Sequence, residues 1–120
     1  MKILIVEDSP TMRRIVRNTL KRLGYDDVEE AEDGVEALAA LGNSTIDFII
    51  TDWNMPKMNG LDFIKRVKAH ADYSEVPILM VTTRSVEQDV VAALQAGASN
   101  YIVKPFTPQV LKEKINEIFA

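Results

Sequence analysis

Short, unbroken apolar runs along this chain give way, again and again, to stretches in which apolar residues return every three or four positions. The runs are ILIV before Glu7, FIIT before Asp52, ILMV before Thr82 and YIV before Lys104. Runs of this length are the signature of strands buried on both faces, and the longer periodic stretches that of amphipathic helices. The pattern predicts strands over 2–6, 28–31, 48–51, 78–81 and 101–103. Ser9 can cap a first helix with Pro10 at its first position, and Met12, Ile15, Val16, Thr19, Leu20 and Leu23 form its inward stripe before Gly24 stops it. Asp33 caps a second, running to Leu41 with Ala37, Leu38 and Leu41 inward, and residues 42–45 turn the chain back. Leu61, Ile64, Val67 and Lys68 mark a third helix that must end before Pro77. A fourth spans 86–96 and stops at Gly97, and Thr107 with Pro108 opens a fifth carrying Leu111, Ile115 and Ile118.

Strand and helix alternating five times in 120 residues predict an α/β fold, a doubly wound five-stranded parallel sheet with five helices, in a single domain over 1–120. With 47% hydrophobic and 27% charged residues the composition is that of an ordinary globular domain, and no apolar stretch approaches a membrane span. A strand follows Met1 too closely to leave room for a secretory signal, so the expected location is cytoplasmic and away from the membrane. The absence of cysteine and the single histidine, His70, exclude disulfides, thiolate sites and a His-rich metal cluster. A formal net charge of −4 speaks against a nucleic-acid partner.

If the strands are parallel, their carboxyl ends open on one edge, where open α/β folds place ligands. Glu7, Asp8, Asp52, Thr82 and Lys104 all stand there. A lone aspartate at a strand end usually caps a turn, and a lone strand threonine is usually filler. Three carboxylates at one edge, however, repel one another and call for a cation, and oxygen donors without His or Cys favour Mg²⁺. In TDWNMPKMNG, the turn residues Asn54, Pro56, Asn59 and Gly60 set Asp52 between a fixed strand and an exposed loop. Lys104, in VKPF, would reach along the edge toward the acids across a proline bond that can be cis or trans. Together the groups suit phosphoryl transfer to a carboxylate: Asp52 attacks in line, Mg²⁺ and Lys104 offset the charge on the phosphoryl oxygens, and Thr82 donates to one of them.

Glu7-Asp8, Asp52, Thr82 and Lys104-Pro105, in this order and at these spacings, resemble the receiver domain of two-component response regulators over essentially the whole chain. The segments PTMRRIVRNTL, AEDGVEAL, TDWNMP, MVTT and AGASNYIVKPFTP are similar to the chemotaxis members of that family. The resemblance implies the flavodoxin-like strand order 2-1-3-4-5, which periodicity alone does not give. It implies Asp52 as phosphoacceptor, Asp8, Asp52 and the Asn54 backbone carbonyl as Mg²⁺ ligands, and Glu7 acting through metal-bound water. It also implies a chemotaxis histidine kinase (CheA-like) as donor, a flagellar motor switch protein (FliM-like) as target, a phosphatase of unknown type, and a monomeric protein. Two departures stand out: Glu7 replaces the first of the family's paired aspartates, and Thr83 sits where a small residue is common and could crowd the switch.

Two other readings lose on particular residues. A haloacid-dehalogenase-type phosphatase resembles D-x-D, with a second aspartate as proton donor, and here that position is Asn54. A flavin or nucleotide module needs a glycine-rich loop after the first strand, and EDSPTM has none. A long-lived phosphoryl group suits a signal, and so a switch is expected in place of a turnover enzyme. By resemblance, Tyr101 alternates between outward and inward rotamers as Thr82 is drawn toward the phosphoryl group. The responding surface would include Val86, Gln88, Val91, Gln95, Phe106 and Lys114. With no effector domain after Ala120, output would pass to a partner protein, or onward as a phosphate shuttle in a relay. Arg13, Arg14, Arg17, Lys21 and Arg22 form a basic helix face, either solvated or, by resemblance, part of a kinase docking surface. Trp53, Met55 and Met58 crowd the acidic loop as lid or packing, and His70 has no assigned role.

Overall fold

A computed structural model describes residues 1–120. Five strands, β1 (Ile3–Val6), β2 (Val28–Ala31), β3 (Phe48–Thr51), β4 (Ile78–Thr82) and β5 (Asn100–Val103), alternate with α1 (Pro10–Arg22), α2 (Gly34–Asn43), α3 (Gly60–Ala69), α4 (Glu87–Ala96) and α5 (Pro108–Phe119). All pairings are parallel and the sheet order is β2-β1-β3-β4-β5.

Side chains alternate across a strand, so each strand feeds two cores. Leu4, Val6, Ile49, Ile78, Met80 and Tyr101 face one side, where Ala37 and Leu41 of α2, Phe63, Ile64 and Val67 of α3 and Ala93 of α4 close over them. Ile3, Ile5, Phe48, Ile50, Leu79, Val81 and Ile102 face the other and meet Val16 and Leu20 of α1 and Leu111 and Ile115 of α5. With both faces covered, the three central strands are buried along their whole length. Only the edge strands β2 and β5 show exposed positions.

The caps follow the sequence. Ser9 Oγ accepts from the Met12 N–H, Asp33 Oδ1 from Glu36 and Thr107 Oγ1 from Val110, satisfying first-turn donors of α1, α2 and α5. Gly24 and Gly97 take the positive φ values, 95° and 122°, that let the chain leave α1 and α4. Two expectations needed correction, and two residues of α3 take places the pattern did not assign. Ile15 is 46% exposed, because the buried stripe of α1 is centred on Val16, Thr19 and Leu20 and leaves Ile15 on its shoulder. The second helix runs through Gly42 to Asn43, and Ser44 closes it by donating its N–H to the Ala40 carbonyl at 3.0 Å. Phe63 is fully buried and shares the inward face of α3 with Ile64 and Val67. Lys68 belongs to no apolar stripe: its ammonium bonds the carbonyls of Ser74 at 3.0 Å and Val76 at 2.8 Å, tying α3 to the loop before β4.

Candidate functional site at the carboxyl edge of the sheet

Parallel register brings the acids together. Val6 pairs with Thr51, and the Asp52 N–H donates to the Val6 carbonyl at 2.9 Å, so β1 and β3 release Glu7 and Asp52 side by side. On the other flank Thr82 pairs with Val103, and the Lys104 N–H donates to the Thr82 carbonyl at 2.8 Å. Lys104 then crosses the edge: its Nζ lies 2.5 Å from Glu7 Oε1 and 2.9 Å from Asp52 Oδ2. Its peptide bond to Pro105 is cis.

Burial sorts the three charged groups, whose side chains are 5% (Glu7), 12% (Asp52) and 8% (Lys104) exposed. Removal from water disfavours the charged form of an acid, and this pushes Glu7 up to about 7 although Lys104 and the Ser9 N–H both bond it and oppose the rise. Burial acts on Asp52 in the same sense, but the Lys104 ammonium, the Thr82 hydroxyl and the Trp53 N–H, 2.6 Å from Oδ1, together hold that carboxyl below its usual value. For Lys104, burial lowers the basicity, and the two acids outweigh it and raise the ammonium above its usual value.

One carboxylate oxygen each from Glu7, Asp8 and Asp52 can be placed within 4.8 Å of one another. Asp8 is exposed and Asp52 partly so, leaving the cluster open to solvent on one side. The all-oxygen donor set fits a hard divalent cation that keeps several of its waters, as Mg²⁺ does, and fits a thiophilic metal poorly.

The loop from Asp52 to α3 is held by a contact that no composition or periodicity signals. Gly60 opens α3 with its N–H 2.7 Å from the Trp53 carbonyl, and a Cβ there would fall 1.9 Å from the Asp52 carbonyl oxygen. Only glycine permits that approach. Asn59 caps α3, Oδ1 accepting from the Asp62 N–H at 2.8 Å. Trp53 is packing, 7% exposed in the core cluster, with Met55 and Met58 against the same cluster.

Thr82, the last residue of β4, is fully buried, whereas Thr83 is exposed. Tyr101 points inward. It is 8% exposed and its hydroxyl donates to the Arg84 carbonyl at 2.7 Å. Burial pushes its phenol up, and Asp89 adds to the rise. Arg84, which the sequence left unremarked, also bonds Asn54 Oδ1 through Nε at 3.0 Å and lies over the Trp53 ring. On the basic face of α1, Arg13 and Arg17 both pair with Glu30 of β2, and Arg13 Nη1 donates to the Glu7 carbonyl at 2.7 Å. His70 stacks on Tyr73 with ring centres 4.0 Å apart, away from the edge.

Residues 3–116 match the model of the response regulator receiver domain. This chain belongs to that family. The receiver is 59% identical over its whole length to a chemotaxis protein CheY homolog of Campylobacter jejuni, covering 93% of it. It is 58% identical to chemotaxis protein CheY1 of Helicobacter pylori, covering 98% of that protein. Among solved structures, chemotaxis response regulator CheY4 of Vibrio cholerae is similar, with a TM-score of 0.89 and 40% identity over 98% of this chain and 97% of that one. The sequence and fold are thus those of a chemotaxis-type receiver. Receivers as a class bind Mg²⁺, in keeping with the acid cluster at this edge. No helix is long and apolar enough to cross a membrane.

Proposed function

We propose that this receiver is a cytoplasmic, phosphorylation-driven chemotaxis switch that takes a phosphoryl group on Asp52 and changes its affinity for the flagellar motor switch. The observation that carries the reading is the bridge from Lys104 to both Glu7 and Asp52, which keeps a nucleophilic carboxylate ionised beside further acids.

An Asp52 oxygen attacks phosphorus and forms the new P–O bond. The P–N bond of a phosphohistidine on the kinase breaks, and its electron pair stays on the imidazole nitrogen. Lys104 offers its ammonium to the incoming oxygens, and Thr82 offers its hydroxyl. Asp8, Asp52 and the Asn54 backbone carbonyl would hold Mg²⁺, with Glu7 acting through a water. The bound ion adds positive charge against the phosphoryl oxygens. Asn54 cannot take a proton from a water attacking the acyl phosphate, which favours a persistent phosphoryl group and a signal in place of turnover.

Phosphorylation adds roughly −1.5 to −2 charge and strong acceptors, enough to draw Thr82 and its loop inward and to favour further the inward Tyr101. The output face lies beside it. Val86, Val91 and Leu94 around α4 and Val103 of β5 are exposed by 60%, 43%, 44% and 40%, apolar side chains that, with Gln88 and Gln95 of α4 and Lys114 of α5, suit a short amphipathic segment of the motor switch. Calorimetry with such a segment should show roughly tenfold tighter binding in the presence of the phosphate mimic beryllofluoride, a difference of only ~1.4 kcal/mol between two loop conformations. Equal affinity in both states would favour the second reading, a phosphate shuttle in a relay.

A further inference from the structure

Arg84 takes no part in the chemistry above, yet it touches most of the switch. Its N–H lies 3.4 Å from Thr82 Oγ1, and its carbonyl accepts the Tyr101 hydroxyl at 2.7 Å. Its Nε donates to Asn54 Oδ1 at 3.0 Å, its Nη1 reaches Asp89 Oδ2 at 3.3 Å, and its Cζ stands 4.7 Å from the centre of the Trp53 ring. One residue thus joins the loop after the phosphoacceptor, the end of β4, the first turn of α4 and the aromatic side chain of β5.

We propose that Arg84 is a latch that holds Tyr101 inward before any phosphoryl group arrives. This inference rests on the reading of Tyr101 as the output residue. A phenol seated in the core must find an acceptor for its hydroxyl, and here that acceptor is a carbonyl in a loop. The loop needs an anchor of its own, because Val86, at the N-cap of α4, offers no side-chain cap. The Arg84 side chain supplies one. A planar guanidinium can stack on an indole and donate sideways at the same time, and a lysine cannot reproduce that fork. With Trp53 buried and fixed, the stacked guanidinium places the Arg84 backbone, and so the acceptor for Tyr101. Arg84 is therefore a positioning residue that lowers the threshold for output: the resting protein already favours the inward rotamer, and phosphorylation has less left to do.

The test is NMR of tyrosine-labelled protein without phosphodonor, comparing wild type, Arg84→Ala and Arg84→Lys. Wild type should show contacts from the Tyr101 ring to the core beneath α4. Arg84→Ala should lose most of them and, without phosphodonor, bind the motor-switch segment several-fold more weakly, with its β1–β3 amide spectrum and urea midpoint close to wild type. Arg84→Lys, keeping a cation near Trp53 and Asp89 but not the Asn54 bond, should fall between. Retention of the inward ring in Arg84→Ala would overturn the latch, as would a wild-type ring position in Arg84→Lys. Because the ring contacts are read without phosphorylation, failure of Asp52 to accept phosphate would remove the output reading while leaving the Arg84–Tyr101 coupling measurable.

Discussion

Lys104 serves two acids that answer it differently. Glu7 lies deeper and is pushed up to about 7, while Asp52 stays ionised. Removing the ammonium should therefore cost most where both acids carry charge. Lys104→Met is expected to lower the unfolding free energy by about 1–3 kcal/mol at pH 8, from two under-compensated carboxylates, and by less at pH 6, where Glu7 takes up a proton. Urea unfolding at the two pH values decides it, and an equal loss at both would mean that Glu7 is already ionised at pH 6. Glu7 also sets a slope in the intact protein. Its folded value lies above its unfolded 4.5, so its contribution to stability is complete below that value and is lost as pH rises through about 7. The same proton competes with a cation. Mg²⁺ affinity, followed by the fluorescence of Trp53, should rise between pH 6 and 8. Glu7→Gln should weaken binding roughly 10–100-fold and flatten that rise, and Asp8→Ala should abolish the response. A wild-type titration from Asp8→Ala would remove that residue from the metal site.

Elements were legible in the sequence where one physical signal dominated. Continuous apolar runs located four of the strands, β2 (VEEA) being placed only by its position between two helical stretches, and caps at Ser9, Asp33 and Thr107 with stops at Gly24 and Gly97 located helix ends, because each acts within a few residues of itself. The placement of Glu7, Asp8, Asp52, Thr82 and Lys104 at one edge followed from parallel pairing alone, whereas the strand order came from family resemblance. The close approach of Gly60, marked in the sequence only as a turn residue, and the reach of Arg84 escaped for the opposite reason. Each matters through approach to a separate segment, Gly60 to the Asp52 carbonyl and Arg84 to Trp53 and Tyr101, and nothing local announces it. Gly60→Ala offers a check at this scale. A Cβ 1.9 Å from a backbone oxygen cannot be absorbed by a side-chain rotamer, so α3 or the Asp52 loop must shift, at a cost of about 1–3 kcal/mol in urea unfolding and with slower phosphorylation. Unchanged stability would show that the loop has slack.

In the whole molecule, the sheet order makes the site. The chain passes from β1 out to β2 and then crosses back to β3, so the crevice between β1 and β3 is the point where the winding reverses, and Glu7, Asp8 and Asp52 stand on either side of it. β4 and β5 bring Thr82 and Lys104 to the same edge, and Val86, Val91 and Leu94 around α4 with Val103 of β5 form the exposed apolar surface beside it. In the proposed function, chemistry and output share the loop between β4 and α4, so a small group bound at the edge would be read on the flank. All of this depends on Asp52 being the acceptor. The most direct test is intact mass after incubation with Mg²⁺ and a small phosphodonor, on wild type and Asp52→Asn. The expected result is a gain of one phosphate in wild type that is lost on chelating the metal and absent from Asp52→Asn; an undiminished adduct in the variant would place the nucleophile elsewhere and contradict the assignment.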